Sequence, residues 1–209
     1  MSDRPLHEAA LAVLSVVAVV ILSSYLPIQE SIRVYTPSLA LLALTAILHL
    51  TGRLSTSMYR PPGRASIPMI ASSVVGVVVT AQFTSYLVFQ FLSPPETYLD
   101  SLRRLIPTTP QSLLLSTVMM WLVVAPAEES IFRGLVFGSL RAVMGFGKAL
   151  ALSSAVFALA HLDPWRIPPT LLVGLFTGLA YHRTGTLSSA IIVHGVNNTA
   201  SLIFSYLNL

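Results

Sequence analysis

The chain has 209 residues, of which 54% are hydrophobic and only 10% are charged, and its mean hydropathy is +0.77. A soluble domain is about 25% charged, so this composition excludes a soluble globular protein and predicts an integral membrane protein. The net charge of +4 comes from basic residues that lie mostly between apolar runs, and no basic block interleaves with aromatic residues, which excludes a nucleic-acid partner.

Apolar runs of near-spanning length predict an all-α transmembrane helix bundle of about seven spans, within a range of six to eight. In chain order the runs are residues 8–26, 36–50, 67–92, 112–143, 147–162, 168–182 and 186–207. The first run is longer than the apolar core of a signal peptide, so we interpret it as a retained span. The fourth is too long for one upright crossing, and Pro126 within it offers a kink or a break into two helices.

Arginines and lysines between the runs are more numerous on the side of the N-terminus, which favours a cytoplasmic N-terminus. Two pairs of glycines spaced four residues apart, Gly134 with Gly138 and Gly174 with Gly178, predict close helix-packing faces. The whole chain, 1–209, is therefore interpreted as one membrane domain.

Ionisable groups inside apolar runs are costly, about 2.5–3.5 kcal/mol each near the bilayer centre, and usually mark function. In chain order they are Glu128, Glu129, Arg133, His161 and His194, with the amide of Asn198 one turn after the last. A lone histidine in an apolar helix is more often a core residue. Several such groups in one small bundle make a site the better interpretation.

Helical spacing separates the two glutamates. Glu129 and Arg133 are four residues apart on one face, so they are predicted to form a self-contained ion pair, which could be purely structural. Glu128 is rotated by about 100°. It is therefore expected to have either a polar partner from another helix or a perturbed acidity.

Two other pairs share the four-residue spacing: Phe157 with His161, and His194 with Asn198. With Glu128, these side chains supply the parts for hydrolysing an amide or ester by activated water. A carboxylate can act as general base, and imidazole and amide groups can donate to an oxyanion. The chain has no cysteine and no Gly-x-Ser-x-Gly elbow, so a covalent nucleophile is not indicated.

A zinc site is the competing arrangement. Two histidines and a glutamate form a known catalytic ligand set, and here it would consist of Glu128, His161 and His194. The His-Glu-x-x-His signature, which places ligands on one helix turn, is absent from the sequence. We therefore expect no cofactor, with a divalent metal such as zinc as the alternative.

Three motifs resemble those of the CPBP family, which includes the type II CAAX prenyl endopeptidases. They are EExxxR at 128–133, FxxxH at 157–161 and HxxxN at 194–198. Their order and spacing agree with the family from about residue 112 to the C-terminus. Residues 111–209 are accordingly interpreted as the motif-bearing core and 1–110 as accessory spans, in which no motif matches.

The resemblance implies a polytopic intramembrane glutamate endopeptidase. The family residues that match Glu128 and His161 activate water, and those that match His194 and Asn198 form the oxyanion hole. Glu129 and Arg133 would support the site, as would Phe157.

The implied partners are the lipid bilayer and a membrane-anchored protein or peptide substrate, prenylated in eukaryotic members, and the compact chain favours a prokaryotic cell membrane. The alternatives are a non-catalytic bacteriocin-immunity or scaffold protein and an ion-coupled transporter. The transporter is disfavoured because the sequence shows no inverted repeat.

Overall fold

The computed structural model describes residues 4–26 and 35–207, and across these ranges the protein is a helical bundle without β-strands. In chain order the helices are α1 (Arg4–Ser24), α2 (Thr36–Leu50), α3 (Ile67–Leu92), α4 (Glu96–Leu105), α5 (Pro110–Met144), α6 (Phe146–Leu159), α7 (Ile167–Thr184) and α8 (Leu187–Leu207). A helix occupies each predicted apolar run, which confirms the all-α bundle.

The bundle has an apolar exterior and an ionic interior, the reverse of a soluble protein. Outward-facing side chains such as Leu122 and Phe91 are 68% and 79% exposed, whereas Glu129 and Arg133 are buried. By length and composition, α3, α5 and α8 are suited to crossing a membrane, and α2 and α6 are shorter apolar helices. This distribution is that of a membrane protein, and the count of seven spans stays a prediction.

Helix α5 is continuous over 35 residues, so the break considered at Pro126 does not occur. Instead, the backbone forms π-helical turns over Met120–Val124 and Ser130–Phe137, on either side of the α-helical turn Ala125–Glu129. Proline has no N–H to close an α-helical bond, and π turns redistribute the backbone bonds around it. The two glutamates therefore lie on a short α-helical turn between two wider segments.

The segment 93–111, which lies between two of the predicted spans, contains the short helix α4. The hydroxyl of Tyr98 donates to Oδ2 of Asp163 at 2.7 Å, and its ring centroid lies 4.6 Å from that of Trp165. Since Asp163 and Trp165 belong to the α6–α7 linker, α4 is attached to the segment that follows His161.

The glycine pairs behave differently. A Cβ atom on Gly174 would lie 2.8 Å from Cβ of Ser154 on α6, so the α6–α7 contact needs a glycine there. In the other pair, a Cβ atom on Gly134 would lie 3.2 Å from a side-chain carbon of Leu54, whereas the nearest atom to one on Gly138 is a carbonyl of α5 itself, at 4.0 Å. Gly138 lines a cavity of about 570 Å³ bordered by α1, α2 and α5.

Candidate active site

Glu128 lies where α2, α5 and α8 meet, and its side chain is 13% exposed. Its Oε1 accepts a hydrogen bond from the hydroxyl of Ser38 on α2 at 3.0 Å. Its Oε2 lies 3.8 Å from Nε2 of His194 on α8. The expectation that Glu128 takes a polar partner from another helix agrees with this geometry, because both partners come from other helices.

Glu129 is fully buried and is shared by two partners. Its Oε2 lies 3.0 Å from Nε of Arg133, the predicted ion pair. Its Oε1 accepts from Nδ1 of His194 at 2.7 Å. The expectation of a self-contained pair was wrong, because the two carboxylate oxygens serve different helices.

His194 therefore lies between two carboxylates, and one of them determines which ring nitrogen carries a hydrogen. A carboxylate only accepts, so Nδ1 of His194, bonded to Glu129, carries a hydrogen. Nε2 is then an acceptor in the neutral ring and a donor only in the imidazolium. At 3.8 Å from Glu128, Nε2 is beyond hydrogen-bond distance and is available to another group.

Arg133 is anchored on the opposite side by α7. It donates from Nη2 to the hydroxyl of Thr177 and, at 3.3 Å, to the carbonyl of Gly174. Its guanidinium carbon also lies 4.6 Å from the centroid of the Phe157 ring. The cation that neutralises Glu129 is therefore held by groups from two further helices.

Phe157 brings the two histidines together. Its ring packs edge-on against His161, with centroids 5.1 Å apart, and against His194, 5.7 Å apart. His161 lies just beyond the end of α6, and its Nδ1 bonds to the carbonyl of Phe157 at 3.0 Å. Because a carbonyl only accepts, Nδ1 carries the hydrogen and Nε2 is the acceptor nitrogen of the neutral ring.

Asn198 lies one turn after His194 on α8 and is partly exposed. Its Nδ2 donates only to Sδ of Met120, at 3.6 Å, and a thioether is a weak acceptor. Gly195 lies between His194 and Asn198 in the sequence, and it is so close to Trp121 that a Cβ atom on it would lie 3.0 Å from the indole ring. The amide can therefore donate to a substrate oxygen, and glycine allows α8 to lie close to α5.

Sequence reasoning missed Ser38, which no motif marks. Ser38 is one of several polar residues in the mostly apolar α2, together with Thr45 and His49, so its position alone did not single it out. It also missed a hydrogen-bonded chain behind the glutamates: Ser130 Oγ donates to the carbonyl of Pro126 at 2.5 Å, and the hydroxyl of Tyr59 lies 2.5 Å from that Oγ. Nε2 of His49 lies 3.1 Å from the same tyrosine hydroxyl.

Arg166, counted in the sequence only as a topology signal, belongs to the surroundings of the site. It lies in the α6–α7 linker, immediately before α7, and its side chain is exposed. Its guanidinium interacts electrostatically with both Glu128 and His161. The linker therefore carries a positive charge whose field reaches the two groups expected to activate water.

The zinc set of Glu128, His161 and His194 stays a prediction from the sequence. Within residues 4–26 and 35–207, no three His, Asp or Glu side chains lie together in a geometry that could hold a metal ion. Nδ1 of His194 is bonded to Glu129 and Nδ1 of His161 to a backbone carbonyl. Nε2 of each ring is left as the acceptor nitrogen of the neutral imidazole.

Comparison with known proteins agrees with the motifs. The family model described as type II CAAX prenyl endopeptidase Rce1-like matches residues 110–200, a stretch that includes all three motifs. The chain is also 31% identical over 150 residues to the membrane-embedded CAAX protease MroQ of Staphylococcus aureus (strain USA300). That match covers 68% of this chain and 56% of the relative, so the chain spans about half of the relative's length. No solved structure matches.

Proposed function

Since the chain belongs to the CPBP family, we propose that it is an intramembrane endopeptidase. It hydrolyses a peptide bond of a membrane-associated protein or peptide. The observation that carries the proposal is the arrangement of Glu128, whose Oε2 faces His194 without being hydrogen-bonded to it. A carboxylate in a largely dry site with one uncommitted oxygen is suited to general-base catalysis.

In the proposed reaction, Oε2 of Glu128 accepts a proton from a water molecule as the water oxygen bonds to the scissile carbonyl carbon. Nε2 of His161, the acceptor nitrogen of that ring, orients the water. The protonated Glu128 then gives its proton to the amide nitrogen as the carbon–nitrogen bond breaks. Glu128 ends the cycle ionised, so it acts first as base and then as acid.

The negative oxygen of the tetrahedral intermediate is stabilised by α8. Nδ2 of Asn198 donates one hydrogen bond, and Nε2 of His194 donates another when the ring is the imidazolium. Glu129 accepts from the opposite nitrogen of that ring at 2.7 Å, so it holds the ring with Nε2 on the side of Glu128. Each preorganised donor of this kind contributes on the order of 2.7–4 kcal/mol to lowering the barrier.

The substrate is proposed to reach the site from the membrane, because the exterior of the bundle is apolar and the reactive groups are inside it. Whether its anchor is a prenyl group is decided by the assay below. The protein is proposed to be a multi-pass protein of a prokaryotic cell membrane with a cytoplasmic N-terminus. The mechanism needs no metal ion.

The test compares purified wild-type protein with Glu128→Gln, offered prenylated and non-prenylated membrane-anchored peptides, with and without a chelator. Glu128→Gln is expected to abolish cleavage, and Glu96→Gln, which changes an exposed glutamate of α4, is expected to leave it intact. Cleavage at the wild-type rate by Glu128→Gln would overturn the mechanism. Loss of wild-type cleavage on chelation would replace it with a metal mechanism.

A further inference from the structure

We propose that Ser38, on α2, is a positioning residue that orients the Glu128 carboxylate for hydrolysis. The inference rests on the function proposed above, but it concerns a helix outside the segment that the family model matches. It assigns to an accessory helix a direct part in the site.

The direction of the contact is fixed by chemistry. Ser38 is buried, and its hydroxyl lies 3.0 Å from Oε1 of Glu128. A carboxylate accepts and does not donate, so the serine is the donor whenever Glu128 is ionised. A hydrogen bond to an ionised group is stronger than one between neutral groups.

A second buried hydroxyl on the same helix is bonded differently. Thr45 is also buried, but its hydroxyl donates to the carbonyl of Leu41 in its own helix at 2.8 Å. Such local bonding is the usual solution for a hydroxyl in an apolar helix. Ser38 instead reaches across to α5.

The contact gives the two carboxylate oxygens of Glu128 different environments. Oε1 is occupied by Ser38, which leaves Oε2 on the side of His194. Without the serine, the carboxyl group could rotate about its terminal torsion, which has a broad energy profile. The hydroxyl therefore holds the carboxylate in the orientation that presents one uncommitted oxygen.

Helix α2 is itself held firmly enough to position the serine. Pro37 lies in its first turn, and Leu41 and Leu48 are buried in the core of the bundle. Ser38 is therefore carried on a helix that packs into the core of the bundle. A site held by rigid helices is positioned more accurately than one carried on loops.

The experiment measures kcat and KM for Ser38→Ala, Ser38→Thr and the matched control Thr45→Val in the full chain. Ser38→Ala is expected to lower kcat about ten- to a hundredfold at unchanged KM, the loss typical of one hydrogen bond to a charged group. Ser38→Thr, which keeps the hydroxyl, restores it, and Thr45→Val stays at the wild-type value. Should Ser38→Ala lower Tm, Ser38→Cys keeps the volume with a weaker donor and is expected to give an intermediate kcat.

Infrared spectroscopy of the carboxyl stretch gives a readout that does not need cleavage. The band of Glu128 is identified as the one lost in Glu128→Gln, and it is expected to shift in Ser38→Ala but not in Thr45→Val. An unshifted band, or equal kcat loss in Ser38→Ala and Thr45→Val, would refute the positioning role. A shifted band in a protein that cleaves no peptide would refute the proposed function while keeping the contact.

Discussion

Replacing Glu129 by glutamine should destabilise the protein far more than the same change at its neighbour Glu128. Glutamine keeps the size of the side chain and removes only the charge. At position 129 it leaves the guanidinium of Arg133, which is 1% exposed and 3.0 Å from the carboxylate, without its counter-charge. At position 128 no buried arginine loses a partner.

The size of the effect follows from the burial of the pair. Removing one member of a buried ion pair costs about 3–5 kcal/mol because the other charge stays buried. In a chain of this length each kcal/mol lowers Tm by roughly 2–4 °C, so Glu129→Gln should lower Tm by about 6–20 °C. Glu128→Gln replaces a group whose hydroxyl partner can also donate to an amide oxygen, so its Tm should stay within a few degrees of the wild type.

The assay is thermal unfolding of the purified proteins in detergent, followed by intrinsic fluorescence, together with peptide cleavage. We expect Glu128→Gln to be folded and inactive, and Glu129→Gln to be both less stable and impaired. Adding Arg133→Met to Glu129→Gln should recover part of the lost stability, since it removes the unpaired charge. Equal Tm losses at the two positions, or the reverse order, would refute this division of roles.

Two further changes test how the site is held. Gly195→Ala should lower both Tm and the cleavage rate, because its Cβ atom would lie 3.0 Å from the ring of Trp121. The control Gly147→Ala should leave both unchanged, because no atom lies within 4 Å of the added carbon. Equal effects of the two substitutions would argue against the close contact at Gly195. Tyr98→Phe removes the 2.7 Å hydrogen bond to Asp163, so amide hydrogen exchange across residues 160–166 should become faster and kcat should fall. Unchanged exchange in these residues would show that α4 does not restrain the α6–α7 linker.

Local spacing was enough to predict what happens within one helix. The i, i+4 rule gave the Glu129–Arg133 pair, and it holds although α5 is π-helical from Ser130 onward. The rule also placed Phe157 against His161, where the rings do meet. In both cases the two partners are fixed by a few backbone dihedrals that the sequence constrains directly.

Contacts between helices could not be predicted in the same way, because they depend on rotation and vertical register. Nothing in the spacing of α8 indicates that Nδ1 of His194 faces Glu129, and nothing in α2 indicates that Ser38 reaches Glu128. The effect of Pro126 on the helix backbone could not be predicted either, because a proline is compatible with a kink, a break or a widened turn. The structure shows the last of these.

In the proposed chemistry the two adjacent glutamates therefore have different and complementary roles. Glu129 is neutralised by Arg133 and fixes Nδ1 of His194, so that Nε2 is directed toward Glu128. Glu128 in turn is bonded through one oxygen to Ser38, which leaves the other oxygen uncommitted. Neither carboxylate could take the other's part, because only Glu129 lies within reach of a buried guanidinium and only Glu128 has an oxygen left for water. Exchanging their environments would require rotating α5 by about 100°, which the anchoring of Arg133 on α7 opposes.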